Sequence, residues 1–367
     1  MRSGTIPGRR RGNERAVTRA RKQDMHFSFS GAWRRCRRLL TASLLAAGCP
    51  TVGGQAVMEG VMMRNADVYA LALRMPDGSI QARRLPWFSL TRFCLFKLPF
   101  VRGFPLLVET LVNGIKALNR SAEALAEGEE EPLQSWQLAL TMLCAVGMAV
   151  LLFVVAPHGL SLLMQRLGLG GAVEGLSFHL WDGFFKCCIF MLYIRAISWV
   201  PDIRRVFQYH GAEHKTIHAF ESGQTVDADF AARMSRLHPR CGTTFLLFVI
   251  CISIVLHAVL VPLLLAYWSP EQTWLKHAGT LLFKIALIVP ISALAYELIR
   301  FAARLDDGIA ATILRAPGLA LQRLTTEDPN EGQLEVAIVA LYEALGPEDG
   351  ARVLTVPHSL QDDVPRA

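Results

Sequence analysis

Charged residues are scarce in this sequence. Asp, Glu, Lys and Arg make up 19% of its 367 residues, below the ~25% that is usual in soluble domains. Hydrophobic residues make up 52%, and the mean hydropathy is positive. This balance favours a membrane protein over a soluble domain. The net charge of +7 suits nucleic acid or anionic lipid as a partner, and long apolar runs favour lipid.

Several signatures of known chemistry are also missing. The sequence contains no glycine-rich phosphate loop, no nucleophile-elbow pattern and no basic–aromatic pattern typical of nucleic-acid binding. We therefore expect membrane lipid and no nucleic acid as a partner. The eight cysteines have no regular spacing, and several lie inside apolar runs, where cysteine behaves as a small hydrophobic residue. This pattern predicts free thiols.

Four stretches are apolar for long enough to cross ~30 Å of hydrocarbon, which takes about 20 helical residues. The predicted spans are 136–157, 184–200, 244–268 and 280–300. We therefore predict a mainly α-helical integral membrane protein, with a kink at Pro290 in the last span. His257 is expected to hydrogen-bond to a neighbouring helix. Lys186 and Lys284 are expected to snorkel towards the nearby membrane surface.

The loops predict the orientation of these spans, because Lys and Arg concentrate in short cytoplasmic loops. The loop 201–243 is rich in both residues, whereas the loops 158–183 and 269–279 carry one basic residue each. We therefore expect both termini and the histidine-rich loop 201–243 to lie in the cytoplasm.

The N-terminal third divides into three segments. Residues 1–51 form a basic extension that we interpret as disordered; it contains either a signal-like sequence or a start upstream of the true one. Residues 52–92 alternate in hydrophobicity around turn residues, which predicts a small β-rich cytoplasmic unit. Residues 93–135 predict an interfacial element, an amphipathic helix over 105–126 and an acidic linker around Glu129–Glu131.

The remaining chain is assigned to a membrane domain and a cytoplasmic end. The membrane domain covers 136–304. Residues 305–346 predict two cytoplasmic helices, which we expect to be separated at Pro317–Gly318 and stopped at Gly346. Residues 347–367 are predicted to be a loose, disordered tail.

The stretch HGAEHKTIH at 210–218 concentrates three of the ten histidines. The segment 206–223 predicts one helix that ends at Gly223. At about 100° per residue, an arc of ~140° combines ionisable and apolar side chains: His210, Glu213, His214, His218 and Glu221 with Val206, Phe207 and Ile217. The opposite face carries Gln208, Ala212, Lys215, Ala219 and Ser222. Ionisable groups on an apolar face need partners, which favours a metal site or a hydrogen-bonded histidine cluster.

The residues His210, Glu213 and His214 match the pattern His-x-x-Glu-His. In one class of zinc peptidases this pattern provides two imidazole ligands and a glutamate that acts as the general base. Helical spacing of four residues lets both imidazoles reach one ion. A cluster of hydrogen-bonded histidines without a metal remains the alternative interpretation.

A zinc site needs a third protein ligand, and the sequence offers several candidates. His238 and Cys241, in LHPRCGTTF, precede the third span. Glu297 lies near the end of the fourth span, where an unpaired acid is costly. Three further residues are accessory candidates: Glu59, His218 and Glu221.

Five segments carry a family resemblance: VGGQAVMEGVMMR, YHGAEHKTIHAFE, HPRCGTTF, YELIRF and PGLALQRLTTEDPNEGQLEVAIVAL. Over about 52–345, the chain resembles the YqhQ-like family of bacterial membrane proteins. The resemblance implies a multi-spanning protein of the bacterial inner membrane with no established activity. Members are sometimes labelled predicted metal-dependent enzymes, which corresponds here to His210, Glu213, His214 and Cys241. The resemblance does not reach 1–50, which favours an upstream start over a signal.

Two functional hypotheses follow. The leading one is a metal-dependent membrane enzyme of unknown substrate, most simply a hydrolase, with a cytoplasmic site. His210 and His214 would bind a divalent metal, with zinc as the expected ion, and Glu213 would act as base or ligand. The alternative is a scaffold, an assembly factor or a transporter component with a structural metal or proton-handling histidines.

Overall fold

The computed structural model describes residues 52–91, 96, 98–126, 135–305 and 308–364. The predicted extension 1–51 and the acidic linker at Glu129–Glu131 lie outside the described residues. The strands are β1 (Gly53–Val57), β2 (Gly60–Asn65), β3 (Val68–Arg74), β4 (Ile80–Pro86) and β5 (Ser359–Asp362). The helices are α1 (Gly103–Leu125), α2 (Ser135–Val150), α3 (Ala156–Arg166), α4 (Leu176–Ile197), α5 (Pro201–Glu221), α6 (Ala228–Ala232), α7 (Gly242–Tyr267), α8 (Thr273–Ala286), α9 (Ile288–Arg304), α10 (Ile309–Thr325) and α11 (Glu331–Asp349).

The five strands form one sheet in the order β1-β2-β3-β4-β5. The first four are antiparallel neighbours, so the small β-rich unit at the N-terminal end of the described chain is confirmed. Strand β5 pairs parallel to β4. It comes from the segment 347–367, and this corrects the expectation of a loose tail there. The free edge of β4 offers unpaired backbone groups, and pairing with β5 satisfies them.

Helices cover both faces of this sheet. Strand β3 directs large side chains, Tyr69, Leu71 and Leu73, to the face covered by α1. It directs Ala70 and Ala72 to the opposite face, where α11 packs. The small alanines allow α11 to approach closely, and α5 packs against both α11 and the strands β1 and β2. The first four strands and α11 therefore share one core, although nearly 250 residues separate β4 from α11 in the sequence.

The boundary between the two C-terminal helices differs from the prediction. Helix α10 continues through Pro317–Gly318, and the chain leaves the helix only after Thr325. Helix α11 then starts at a capping box, in which the Asn330 and Gln333 side chains each bind the other's backbone N–H. The boundary between the two helices therefore lies between Thr325 and Glu331, not at Pro317–Gly318. The predicted interruption at Gly346 is present, with a φ of 77°.

The described chain contains three helices long and apolar enough to cross a membrane, at Leu143–Arg166, Gly242–Tyr267 and Thr273–Ala302. A fourth span results if α4 is counted together with α5, from which it is bent by 99°. The prediction for the third span agrees within two residues. These helices expose many large apolar side chains, which is compatible with a membrane protein.

Three predicted span boundaries are corrected. The first span continues past Pro157 to Arg166, because a π-helical turn at Leu151–Val155 precedes the proline and accommodates its missing N–H. Helix α4 starts at Leu176 rather than 184. The last span starts at Thr273, and its kink lies at Leu287, three residues before Pro290.

The lysines in these helices do not snorkel. Lys186 and Lys284 are both buried and turn inwards to Asp182, so the prediction that they reach the membrane surface was wrong. Asp182 lies on α4 with Lys186 and faces Lys284 on α8, so one buried carboxylate pairs with both ammonium groups. The prediction for His257 is confirmed, because its Nδ1 lies 3.3 Å from Lys186 Nζ on the neighbouring helix.

Candidate metal centre

Helix α5 carries the histidine-rich motif and is buried on two sides. It begins at Pro201, which suits the first helical turn, and it ends before Gly223, which has a φ of 77°. On the face opposite the histidines, Ala212 and Ala219 are fully buried against the sheet and α11. Their small side chains allow this packing on both sides of α5.

Three of the predicted ligands lie together. The ligand atoms of His210, His214 and Cys241 are all within 4.8 Å of one another. The imidazoles lie one turn apart on α5, with ring centroids separated by 4.4 Å. Cys241 caps the N-terminus of α7, and its Sγ lies 3.2 Å from His210 Nε2. Three soft or borderline donors therefore converge at one end of an apolar helix.

Backbone carbonyls orient both imidazoles. His210 Nδ1 lies 2.8 Å from the Thr325 carbonyl oxygen, and His214 Nδ1 lies 2.6 Å from that of Arg236. Because a carbonyl oxygen only accepts, each Nδ1 donates its proton, so each Nε2 carries the lone pair that could bind a metal. Metal-binding histidines are commonly held in this way.

The remaining nitrogen of His214 is buried without a hydrogen-bond partner among the described residues. Burial lowers the pKa of His214, and the neighbouring Cys241 opposes this shift. A buried unpartnered acceptor costs about 1–3 kcal/mol. An ion bound between His210, His214 and Cys241 would satisfy this nitrogen, so the donor set fits a divalent metal.

Glu213 is 5% exposed and lies against strand β1. Burial raises the pKa of its carboxyl group, whereas His210, His238 and the Gly54 backbone amide lower it. A Cβ atom added at Gly54 would lie 2.8 Å from the Glu213 carboxyl carbon. The glycine therefore provides the space that this carboxyl group occupies.

A second group lies one turn further along α5. The ligand atoms of His218, Glu221 and His238 also lie within 4.8 Å of one another. Protein groups already satisfy them: His218 Nε2 lies 2.9 Å from the Leu237 carbonyl oxygen, His238 Nδ1 accepts from the Arg240 amide, and Glu221 pairs with Arg240. Burial lowers the pKa of His218 and of His238. This group has less need of an ion than the first.

The other two candidates are occupied elsewhere. Glu297 accepts two hydrogen bonds of 2.7 Å from Arg102. Glu59 forms an ion pair with Arg205 and lies 3.4 Å from the Tyr209 hydroxyl group. The structure thus brings His210, His214 and Cys241 together and places Glu297 and Glu59 in ion pairs.

The sequence reasoning missed the residues that hold this arrangement in place. Gln322, fully buried on α10, binds the backbone N–H and C=O of His238 and the Thr244 hydroxyl group. Gly211 allows the backbone at Glu327 to approach α5, where the Glu327 amide binds the Phe207 carbonyl oxygen. The available sequence signal for Gln322 was a polar glutamine within the apolar stretch GLALQRL.

Comparisons with known proteins give two matches. Residues 98–347 match a family described as "Protein of unknown function (DUF1385)". The chain is also 33% identical over 311 residues to "Uncharacterized protein YqhQ" of Bacillus subtilis (strain 168), which covers 81% of this chain and 92% of that protein. No solved structure matches this chain.

Proposed function

This chain belongs to the DUF1385 family of proteins of unknown function, and from that premise we propose that it is a divalent-metal-dependent membrane enzyme. The resemblance to the YqhQ-like family is confirmed. The observation that carries the proposal is the buried, unpartnered Nε2 of His214 beside His210 and Cys241. The protein would reside in the bacterial inner membrane, with this centre on the cytoplasmic side.

The donor set favours zinc. Two imidazoles and one thiol are ligands that zinc prefers. Three protein ligands leave one coordination position open, which is typical of catalytic rather than structural zinc sites. The second group, with His218, Glu221 and His238, is neutralised by Arg240, which disfavours it as the ion's position.

Hydrolysis is the reaction class that this arrangement supports best. A divalent ion at such a site supplies Lewis acidity that activates water. Glu213 lies between the two histidine ligands in the sequence, and burial holds the pKa of its carboxyl group above the usual range. A carboxyl group with a raised pKa is suited to accept a proton and to return it. Because Cys241 lies at the end of an apolar helix, the substrate would bind close to the membrane surface.

The proposal predicts a loss of bound metal in three variants. Full-length protein purified without chelators should carry about one zinc per chain by elemental analysis, and His210→Ala, His214→Ala and Cys241→Ala should each lower the affinity at least about tenfold. His358→Ala is the matched control, because His358 is hydrogen-bonded to Glu343 outside both groups. Negligible metal in all samples, or equal metal in all, would refute the centre.

A further variant separates an enzyme from a scaffold that is stabilised by metal. Glu213→Gln keeps the shape of the side chain but cannot accept a proton from water. We expect this variant to retain its metal and to fail to complement a strain that lacks the protein. Full complementation by Glu213→Gln would favour a scaffold, an assembly factor or a transporter component with a structural metal.

A further inference from the structure

The apolar helices enclose a second cluster of ionisable groups, remote in sequence from α5. Five side chains, each between 1% and 4% exposed, face one another on α3, α4, α7 and α8: His158, Asp182, Lys186, His257 and Lys284. At about 1.5 Å of rise per residue, all of them except Asp182 lie about 12–16 Å from the helix ends next to the loops 167–175 and 268–272. That is about half the thickness of a bilayer core.

The carboxylate of Asp182 in this cluster pairs with the amines of two lysines. Asp182 Oδ1 lies 2.8 Å from Lys284 Nζ, and its Oδ2 lies 3.6 Å from Lys186 Nζ. With both lysines charged the three groups carry a net charge of +1, and with one lysine neutral they carry none. His179, one turn before Asp182, adds a buried imidazole and no opposing charge. Since an unbalanced charge is costly in an apolar region, the cluster is built to gain or lose one proton.

Hydrogen bonds connect this cluster to a more accessible histidine. His277 is half-buried and lies only about 6 Å from the start of α8 at the usual helical rise. Its Nδ1 lies 3.1 Å from His158 Nε2, and His158 Nδ1 lies 3.3 Å from Lys284 Nζ. A neutral imidazole accepts a proton at one nitrogen and donates at the other. A proton on His277 can therefore pass to His158 and then to the amine of Lys284.

The path of hydrogen bonds ends at Lys186 and His257. Lys186 Nζ lies 3.3 Å from His257 Nδ1 and 3.4 Å from the Ser253 hydroxyl oxygen. His257 Nε2 has no hydrogen-bond partner in the described part of the chain. The path thus extends from His277 to the middle of the helices and ends there.

We propose that Asp182, Lys186 and Lys284 form a buried proton-binding site that His277 and His158 load from the side of the loop 268–272. One proton enters by this path, converts a neutral lysine into its ammonium form, and leaves by the same path. The site goes beyond the proposed metal-dependent function and shares no residue with the metal centre, so the two can fail independently.

The test is infrared difference spectroscopy on the full-length protein in lipid nanodiscs after a rapid drop in pH. The wild type should show a carboxylate band shift as the charge beside Asp182 changes. Asp182→Asn and Lys284→Met should abolish this shift. His277→Phe should leave its amplitude unchanged and slow its appearance at least about tenfold, because the entry step loses its proton carrier.

Leu282→Ala is the control, since Leu282 lies on the same helix but is 70% exposed and carries no titratable group. It should change neither amplitude nor rate. An unchanged band in Asp182→Asn would overturn the site, as would the absence of a carboxylate band shift in the wild type. If Lys284→Met does not fold, the rate in His277→Phe still decides, because an unaltered rate would exclude the path.

Discussion

Glu213 shows at the scale of single residues how the backbone shapes the proposed centre. Its carboxyl group lies against strand β1, where the absence of a side chain at Gly54 provides the space. The two imidazoles are likewise oriented by carbonyl oxygens, those of Thr325 and Arg236. Backbone groups have few alternative positions, so they fix the side chains of the centre more rigidly than flexible side chains would.

Gly54→Ala is therefore predicted to destabilise the protein. The new methyl group would lie 2.8 Å from three Glu213 side-chain atoms, and Glu213 is too deeply buried to swing into solvent. Overpacking of this kind costs about 1–3 kcal/mol, measurable as a lower free energy of unfolding in denaturant. Gly53→Ala is the control, because nothing lies within 4 Å of its added Cβ atom. Equal losses in both variants would contradict the steric account.

The sequence could predict some residues of the centre and not others for a definite physical reason. His210 and His214 are brought together by helical spacing alone, which a sequence pattern reveals. Thr325, which orients His210, lies 115 residues away in the sequence, and no local pattern specifies which carbonyl a long-range fold delivers. Cys241 was a candidate because it lies just before the third predicted span. Its contact with His210 depends on how α7 packs near α5, which the sequence does not show.

At the scale of elements, α10 positions the segment 238–244, which contains Cys241. Gln322 on α10 binds the chain on both sides of Cys241, at His238 and Thr244. Gly318, one turn earlier, leaves room for Thr244, since any Cβ atom there would collide with it. The same Pro317–Gly318 pair was expected to end the helix. Close packing with α7 accounts for the glycine, and tertiary contacts here outweigh local propensity.

Gln322→Leu is predicted to loosen this segment without removing a ligand. The backbone N–H and C=O of His238 would lose their buried partners, at a cost of about 1–3 kcal/mol each. We expect a lower free energy of unfolding and about tenfold weaker zinc binding, measured by competition with a chelator. Gln165→Leu on the apolar helix α3 serves as the control. Unchanged zinc affinity in Gln322→Leu would show that α10 does not position Cys241.

At the scale of the whole molecule, the two candidate sites are well separated. His257 is fifteen residues beyond the start of α7 at Gly242, or about 22 Å at the usual helical rise. The proposed metal centre lies at one end of α7, whereas the proton path opens towards the other. Three of the four predicted spans could be recognised from the length of their apolar runs. The inward turn of Lys284 could not be predicted, because its partner Asp182 lies on another helix, whereas the pairing of Asp182 with Lys186 follows helical spacing of four residues.

The arrangement of the two sites across a membrane depends on the orientation predicted from loop charges. We expect the loop 167–175 to face the outside and the end of α11 to face the cytoplasm. Single substitutions test this with a membrane-impermeant maleimide, measured against the parent protein. Leu169→Cys, at an exposed position, should label in intact cells, and Glu348→Cys should label only after lysis. The reverse pattern would place the metal centre outside the cell and open the proton path to the cytoplasm, which contradicts the predicted orientation.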